Sequence, residues 1–324
     1  MDAMREDRDG RDENSDEREH QGEQGEIVRC VLAGLPVRVV AAVTTGVARE
    51  AARRHQAGPA GAIALGRGLT AGLLLATLTK DDERVTLQVL GDGPLGGITV
   101  DANGAGTARA YVKHPDAGAI AADGARTSVA AAIGRAGVVS VIRDVGLREN
   151  FSGTTAIGSG EIDDDVERYL TESEQIESAL ACETTAEPDG RVAGSAGILV
   201  QALPGEAAIE VALARGLFAD GALARAVTAD LPGSGDDLLR AVFGGRLGDV
   251  RVLDRRPARF FCPCSRPRAG VSLAMLGEAD LAAMILDDGK AEVICNFYRA
   301  RYAFDEAELE RIRRRAARDS GPPS

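Results

Sequence analysis

Tryptophan is absent from this chain of 324 residues, and aromatic residues make up only 3% of it. Any core must therefore be built mostly from Ala, Val, Leu and Ile, and a hydrophobic content of 44% is enough to bury one. Long apolar runs are missing too: no stretch reaches the about eighteen unbroken apolar residues of a membrane span. The most apolar segment, Leu69 to Leu78, is too short and follows Arg67. The N-terminus carries charges in place of an apolar signal segment. A basic excess is also lacking. The 38 Lys and Arg face 50 Asp and Glu, a formal net charge of -12, which argues against nucleic acid as a partner because phosphate binding needs a basic footprint.

Histidine is scarce. His20, His55 and His114 are the whole supply, and none offers Ser140, Ser152 or Ser159 a plausible catalytic partner. None of these serines sits in a nucleophile elbow. Gly91, Gly93, Gly96 and Gly97, like Gly134 and Gly137, lack the Lys and Ser/Thr of a phosphate loop and read as turns. Glu172 and Glu174 read as a solvated helix face. No catalytic constellation emerges, so the expectation is a protein that is not an enzyme, has no membrane partner and resides in the cytoplasm. In that reducing compartment, clustered cysteines serve as metal ligands or redox sensors.

Such a cluster is present. Three of the five cysteines lie in Phe261-Cys262-Pro263-Cys264 and Ile294-Cys295-Asn296-Phe297-Tyr298. The first is a C-x-C; the second reads as a C-x-x-C knuckle whose last position holds Tyr298. Cysteines this close in a chain otherwise poor in them point to thiolate chemistry. Cys262, Cys264 and Cys295 are candidate metal ligands, and Cys262 and Cys264 a candidate redox disulfide, strained by its short ring. Zinc wants four ligands, and a phenol is a poor one at neutral pH. Water, or an acid such as Asp287, Asp288 or Glu292, is left to complete the shell, and a site weaker than four thiolates is expected. Cys30, in an apolar run, and Cys182 are expected to be buried, inert thiols.

The fold class reads as α+β. Residues 1–25 hold ten acids against four arginines and are expected to be a disordered acidic tail, removable without loss of thermal stability. Residues 26–205 carry strand-like runs at 27–32, 37–44, 85–90, 98–101, 108–112, 138–144 and 192–203, with period-two alternation at 85–90, joined mostly by turns, which predicts an antiparallel sheet. Helices are expected at 46–55 and at 60–78, the latter apolar nearly all round, and from Asp163 towards Gln175. Residues 206–258 read as a helical linker of short amphipathic runs, marginal without something to dock against. Residues 259–315 form the small cysteine domain, with a helix whose start, Asp305 to Glu308, is close to a capping box. Residues 316–324 are expected to be a second disordered tail.

Several of these segments together resemble the heat shock protein 33 family of redox-regulated bacterial holdase chaperones. The resemblance is carried by Gly91-Asp92-Gly93-Pro94-Leu95-Gly96, Ser159-Gly160-Glu161-Ile162, Tyr169 to Ile176, Pro188-Asp189-Gly190-Arg191, the strand Gly194 to Leu203, Phe261 to Ser265 and Tyr302 to Glu306. It covers nearly everything after the tail. It implies an α+β substrate-binding domain of antiparallel sheet and packed helices, a helical linker and a small zinc-ribbon-like domain. It implies four thiolates on zinc in the reduced, inactive state. Oxidation pairs neighbouring cysteines, releases zinc, unfolds the linker and exposes an apolar surface for unfolding clients, with dimerisation when active. Here Cys262, Cys264 and Cys295 match three ligands, and Tyr298 stands at the fourth. The expectation is therefore a holdase with a weakened switch, its linker partly undocked even when reduced. The rival readings are a redox-independent chaperone, a structural zinc-ribbon interaction protein and a thiol-disulfide oxidoreductase.

Overall fold

The computed structural model describes residues 24–146, 150–204, 208–229 and 232–319. Most of the acidic segment 1–25 and the end of the segment 316–324 lie outside them. The start of the ordered chain is β1 (Gly25–Leu32), antiparallel to β2 (Val37–Val43). Helices α1 (Thr45–His55) and α2 (Pro59–Ala76) follow. Next come β3 (Arg84–Gly91), β4 (Ile98–Asn103), β5 (Thr107–Val112), the short hairpin β6 (Ala121–Asp123) and β7 (Arg126–Ser128), and the single turn α3 (Ala130–Ile133). Strands β8 (Gly137–Asp144) and β9 (Phe151–Ala156), helix α4 (Ile162–Glu172), and β10 (Ser178–Ala186) with β11 (Val192–Ala202) complete this part.

Three short helices then run in succession, α5 (Ala208–Ala219), α6 (Ala222–Ala229) and α7 (Gly235–Phe243). They lead into β12 (Val250–Phe260). The linker is thus helical only to Phe243. Its last residues form a strand, which the sequence conceals because Asp254, Arg255, Arg256, Pro257 and Arg259 interrupt the apolar pattern. Inside the sheet those charges find partners: Arg29 and Asp254 face each other on adjacent strands, with Nη1 to Oδ2 at 3.0 Å.

Strand β12 joins the sheet's two halves. The order is β10-β11-β2-β1-β12-β5-β4-β3-β8-β9. Every pairing is antiparallel except the short parallel contact of β12 with β5 at Arg259 and Phe260. One face carries α1 and α2, packed over Ile27, Val40, Leu87, Val100 and Leu199. Helix α2 alone among the described helices has the length and apolar content of a membrane span, and 94% of that window is buried in the fold. It lies close on the sheet because Gly66 and Gly72 carry no Cβ; one added there would sit 2.5 Å from Thr184 Oγ1 or 2.7 Å from Val100 Cγ1.

Arg67, read from sequence as the edge of an apolar run, is instead fully buried in the middle of α2. Its guanidinium donates to Glu161 at 2.8 Å, to Glu183 at 2.6 Å and to the Thr127 carbonyl at 2.8 Å. Arg126 extends the network to Asp163 at 2.7 Å and Glu183 at 3.3 Å. Burial pushes the Asp163 carboxyl up, but Arg126 and Arg67 win and hold it below its ordinary value.

The other face of β10-β11-β2-β1 is covered by α5, α6 and α7. Val211, Leu217, Phe218, Leu223, Val227, Leu238 and Phe243 pack there on Val28, Val39, Ile198 and Val200. The sequence predicted partial undocking of these helices; in this structure they are seated on an apolar face, which offsets their weak intrinsic stability. Cys30 and Cys182 are fully buried, and burial pushes Cys30 up to about 11 and Cys182 well above its ordinary value.

Residues beyond β12 gather a small apolar core of their own around Leu273, Leu281, Phe304 and Leu309. It is built by α8 (Arg266–Ala274), α9 (Glu278–Asp287), the hairpin β13 (Lys290–Ile294) and β14 (Arg301–Asp305), and α10 (Glu306–Asp319). The capping box is present in both directions. The Glu308 N–H donates to Asp305 at 2.8 Å and the Asp305 N–H to Glu308 at 3.1 Å. Helix α10 continues to Asp319, past the expected boundary at residue 315.

Candidate metal and redox site

Two local structures bring the three thiols together. The first is the exit of β12. The Phe261 N–H donates to the Ala108 carbonyl at 2.9 Å, extending the pairing with β5 as far as the residue before Cys262. After Cys264 the chain turns into α8, where Ser265 caps the helix by accepting from the Arg268 N–H. The second is the turn between β13 and β14. The Cys295 N–H donates to the Ala300 carbonyl at 2.9 Å, the Arg299 N–H to the Cys295 carbonyl at 2.8 Å, and Arg299 adopts the left-handed conformation. That curl turns the Tyr298 N–H onto Cys295 Sγ at 3.4 Å.

Cys262, Cys264 and Cys295 place their sulfurs within 4.8 Å of one another, and Cys262 Sγ is 3.7 Å from Cys295 Sγ. Tetrahedral zinc with Zn–S bonds of about 2.3 Å sets its sulfurs about 3.8 Å apart, so the donor set fits three corners of such a site. Among the described residues no imidazole or carboxylate joins the three thiols at that range. Glu292, an expected candidate, pairs with Arg301 at 3.0 Å instead. Asp287 ends α9 and Asp288 follows it, both exposed.

The electrostatics favour one shared negative charge. The Cys262 thiol donating to Cys295 holds Cys295 down to about 5, with the Tyr298 and Phe297 N–H groups adding to it. The same bond, with burial, raises Cys262. Burial raises Cys264. A cation stands beside the cluster: Arg109 Nη1 donates to Cys262 Sγ at 3.2 Å while its other nitrogens grip Asp101 at 2.7 and 3.1 Å. The Tyr302 phenol hydrogen-bonds Cys264, and burial pushes that phenol up.

The Tyr298 phenol is held by the backbone of Phe260 and Cys262. It is only 6% exposed. Its ring stacks on Phe260 at 5.4 Å, its hydroxyl donates to the Phe260 carbonyl at 3.5 Å, and the Arg54 guanidinium lies 4.0 Å from its centroid. Burial raises this phenol, which makes it a still poorer anionic ligand. His55 stands behind the turn with Nε2 3.1 Å from both the Phe297 and Ala110 carbonyls. Sequence reading missed Arg54, His55 and Arg109 because 244, 242 and 153 residues separate them from their contacts at the site.

Comparison with known proteins agrees with this architecture. The family model described as Hsp33 protein matches residues 25–305. The 33 kDa chaperonin of Bacillus subtilis is 35% identical over 297 residues, covering 90% of this chain and 99% of its own. That of Lactiplantibacillus plantarum is 37% identical over 91% of this chain and 99% of its own. The crystal structure of the 33 kDa chaperonin from Thermotoga maritima superposes with a TM-score of 0.80 at 28% identity, covering 92% of this chain and all of that one. A match of this extent, on a fold with the thiol cluster at the exit of its central strand, establishes that the chain belongs to the Hsp33 family of chaperones.

Proposed function

We propose that this chain is an ATP-independent holdase of the cytoplasm that binds unfolding or oxidatively damaged proteins and is regulated through Cys262, Cys264 and Cys295. The observation that carries the reading is the position of the thiols at the exit of β12. That strand pairs with β1, one of the strands on which α5 to α7 are seated. A change at the thiols therefore acts on the strand next to the apolar face those helices cover. Its uncovering would present Val28, Val39, Ile198 and Val200 to a client. The proposed domains are a core of residues 26–205, a linker of 206–258 and a cysteine domain of 259–315, with β12 contributed back to the core sheet. Homodimerisation of the open form is part of the proposal; nucleic acid and membrane are not.

Cys262, Cys264 and Cys295 would hold zinc. Bound zinc would keep all three as thiolates and tie the end of β12 to the turn at Cys295. Oxidation by peroxide removes two electrons from a pair of thiols. A sulfur–sulfur bond forms, and the two protons leave with the peroxide oxygens as water. Spacing points to Cys262 with Cys264. A second pairing, Cys262 with Cys295, is favoured by the 3.7 Å between their sulfurs and avoids the strained C-x-C ring. The test is light scattering of a thermally unfolding client with reduced and peroxide-treated protein. Stronger suppression after peroxide is expected; equal suppression in both states would leave the redox-independent chaperone.

A further inference from the structure

The turn that carries Cys295 is gripped by the core at two adjacent residues. Arg54, in the last turn of α1, lies 4.0 Å from the Tyr298 ring centroid and donates to the Tyr298 carbonyl at 3.4 Å. Its neighbour His55, 6% exposed, brings Nε2 to 3.1 Å from the Phe297 carbonyl and from Ala110 of β5. On the same strand, Arg109 lies 4.0 Å from the Phe297 ring centroid, and Tyr111 meets that ring edge-on at 5.1 Å and 82°. Tyr298 in turn stacks on Phe260, the last residue of β12. Two guanidiniums over two aromatic faces, partly withdrawn from water, form a stronger contact than either would on the surface. None of these groups is a thiol.

We infer that Phe297 and Tyr298 form a latch: the core presents a surface made by the end of α1 and by β5, and its partner is the cysteine-bearing turn of the same chain. Tyr298 occupies the position where a fourth thiolate would cross-link the site. Through Arg54 and Phe260 it supplies a different tie, one between the turn and the core sheet. The Tyr298 N–H to Cys295 Sγ bond at 3.4 Å connects the latch to the thiols, so a movement of Cys295 is felt at Tyr298. The regulatory consequence rests on the redox reading above; the latch itself does not. Its closure depends on ring and cation, so it holds in the reduced protein whether or not metal is bound.

The test is amide hydrogen exchange on the reduced, full-length protein for Arg54→Ala, Tyr298→Ala and Tyr298→Phe. Alanine is a good helix former, and Glu50 keeps its contact with Arg53, so α1 tolerates the first change. The expected result is an increase of about tenfold in exchange over residues 290–305 for both alanine variants, with α2 unchanged. Tyr298→Phe keeps the ring on Phe260 and beneath Arg54 and loses only the hydroxyl's hydrogen bonds to the Phe260 and Cys262 backbone, so it is expected closer to wild type than Tyr298→Ala. Wild-type protection of residues 290–305 in both alanine variants overturns the latch, and so does loss of protection in α2 in step with the turn. Client aggregation is measured on the same samples. A loosened turn with unchanged reduced-state activity leaves the latch standing and overturns its regulatory role.

Discussion

Cys262 Sγ and Cys295 Sγ lie 3.7 Å apart although 33 residues separate them in the chain. The contact unites two unrelated local structures, the exit of β12 and the turn between β13 and β14. A metal or a covalent bond at this point would tie the central strand of the sheet to the small C-terminal core.

Metal occupancy follows from the donor set. Three thiols with no fourth donor among the described residues should bind zinc substoichiometrically, or as one ion that a mild chelator strips quickly. Elemental analysis of freshly reduced protein, before and after brief chelation, is the measurement. Tyr298→Cys should raise occupancy towards one tightly held zinc per chain. Tight, stoichiometric zinc in the wild type would contradict the three-ligand reading.

Disulfide mapping separates the two pairings. After peroxide treatment and alkylation, Cys262 is expected in the bond, with Cys264 and Cys295 competing for it. Cys264→Ser should still form a linkage to Cys295, and Cys295→Ser one to Cys264. A Cys262→Ser protein that forms the same amount of intramolecular disulfide would refute the central place given to Cys262.

Arg67 supplies a stability prediction. It is fully buried and neutralises Glu161 and Glu183, themselves almost out of reach of water. Arg67→Leu leaves Glu161 without its cation and Glu183 with Arg126 alone, and should cost about 3–5 kcal/mol in urea unfolding. The exposed Arg53, paired with Glu50 at 2.9 Å, should lose less than about 1 kcal/mol on replacement by Ala. Equal effects at the two positions would show that the buried network is not what holds α2 to β10.

Asp164 supplies a pH dependence. Burial and the neighbouring Asp163, with Glu161 and Glu167, push its carboxyl up to about 7, against the pull of Arg126 at 3.6 Å. A folded-state value above the unfolded one of about 4 means that the folded chain holds this proton to higher pH. Its contribution is then most favourable below pH 4 and is lost as pH rises towards 7. Asp164→Asn should therefore gain on wild type in melting temperature between pH 5 and pH 8. The side chain is 51% exposed, so the gain should stay below about 1 kcal/mol. A variant that loses ground at pH 8 would reverse the sign.

Much of this architecture is legible along the chain. The strand-like runs that became β1, β2, β3, β8 and β11, the apolar α2 and the capping box at Asp305 are local patterns, read from neighbours within a few residues. So are the C-x-C and the knuckle of Cys295. Strand β10 and strand β12 were not legible. Residues such as Glu183 and Asp254 break their apolar pattern, and only the opposing Arg67, Arg126 and Arg29 make those charges tolerable inside the fold.

By itself the sequence determined the supply: three clustered thiols, no fourth, and a tyrosine in the open position. Tertiary structure decided what those residues do. The Tyr298 ring packs between Phe260 and Arg54, and Arg109 comes to Cys262. The physical reason is that a ligand set and a cation over a ring depend on distances of a few ångströms. For residues 150 to 250 positions apart, those distances are set by the closure of the sheet around β12, and no local pattern encodes them.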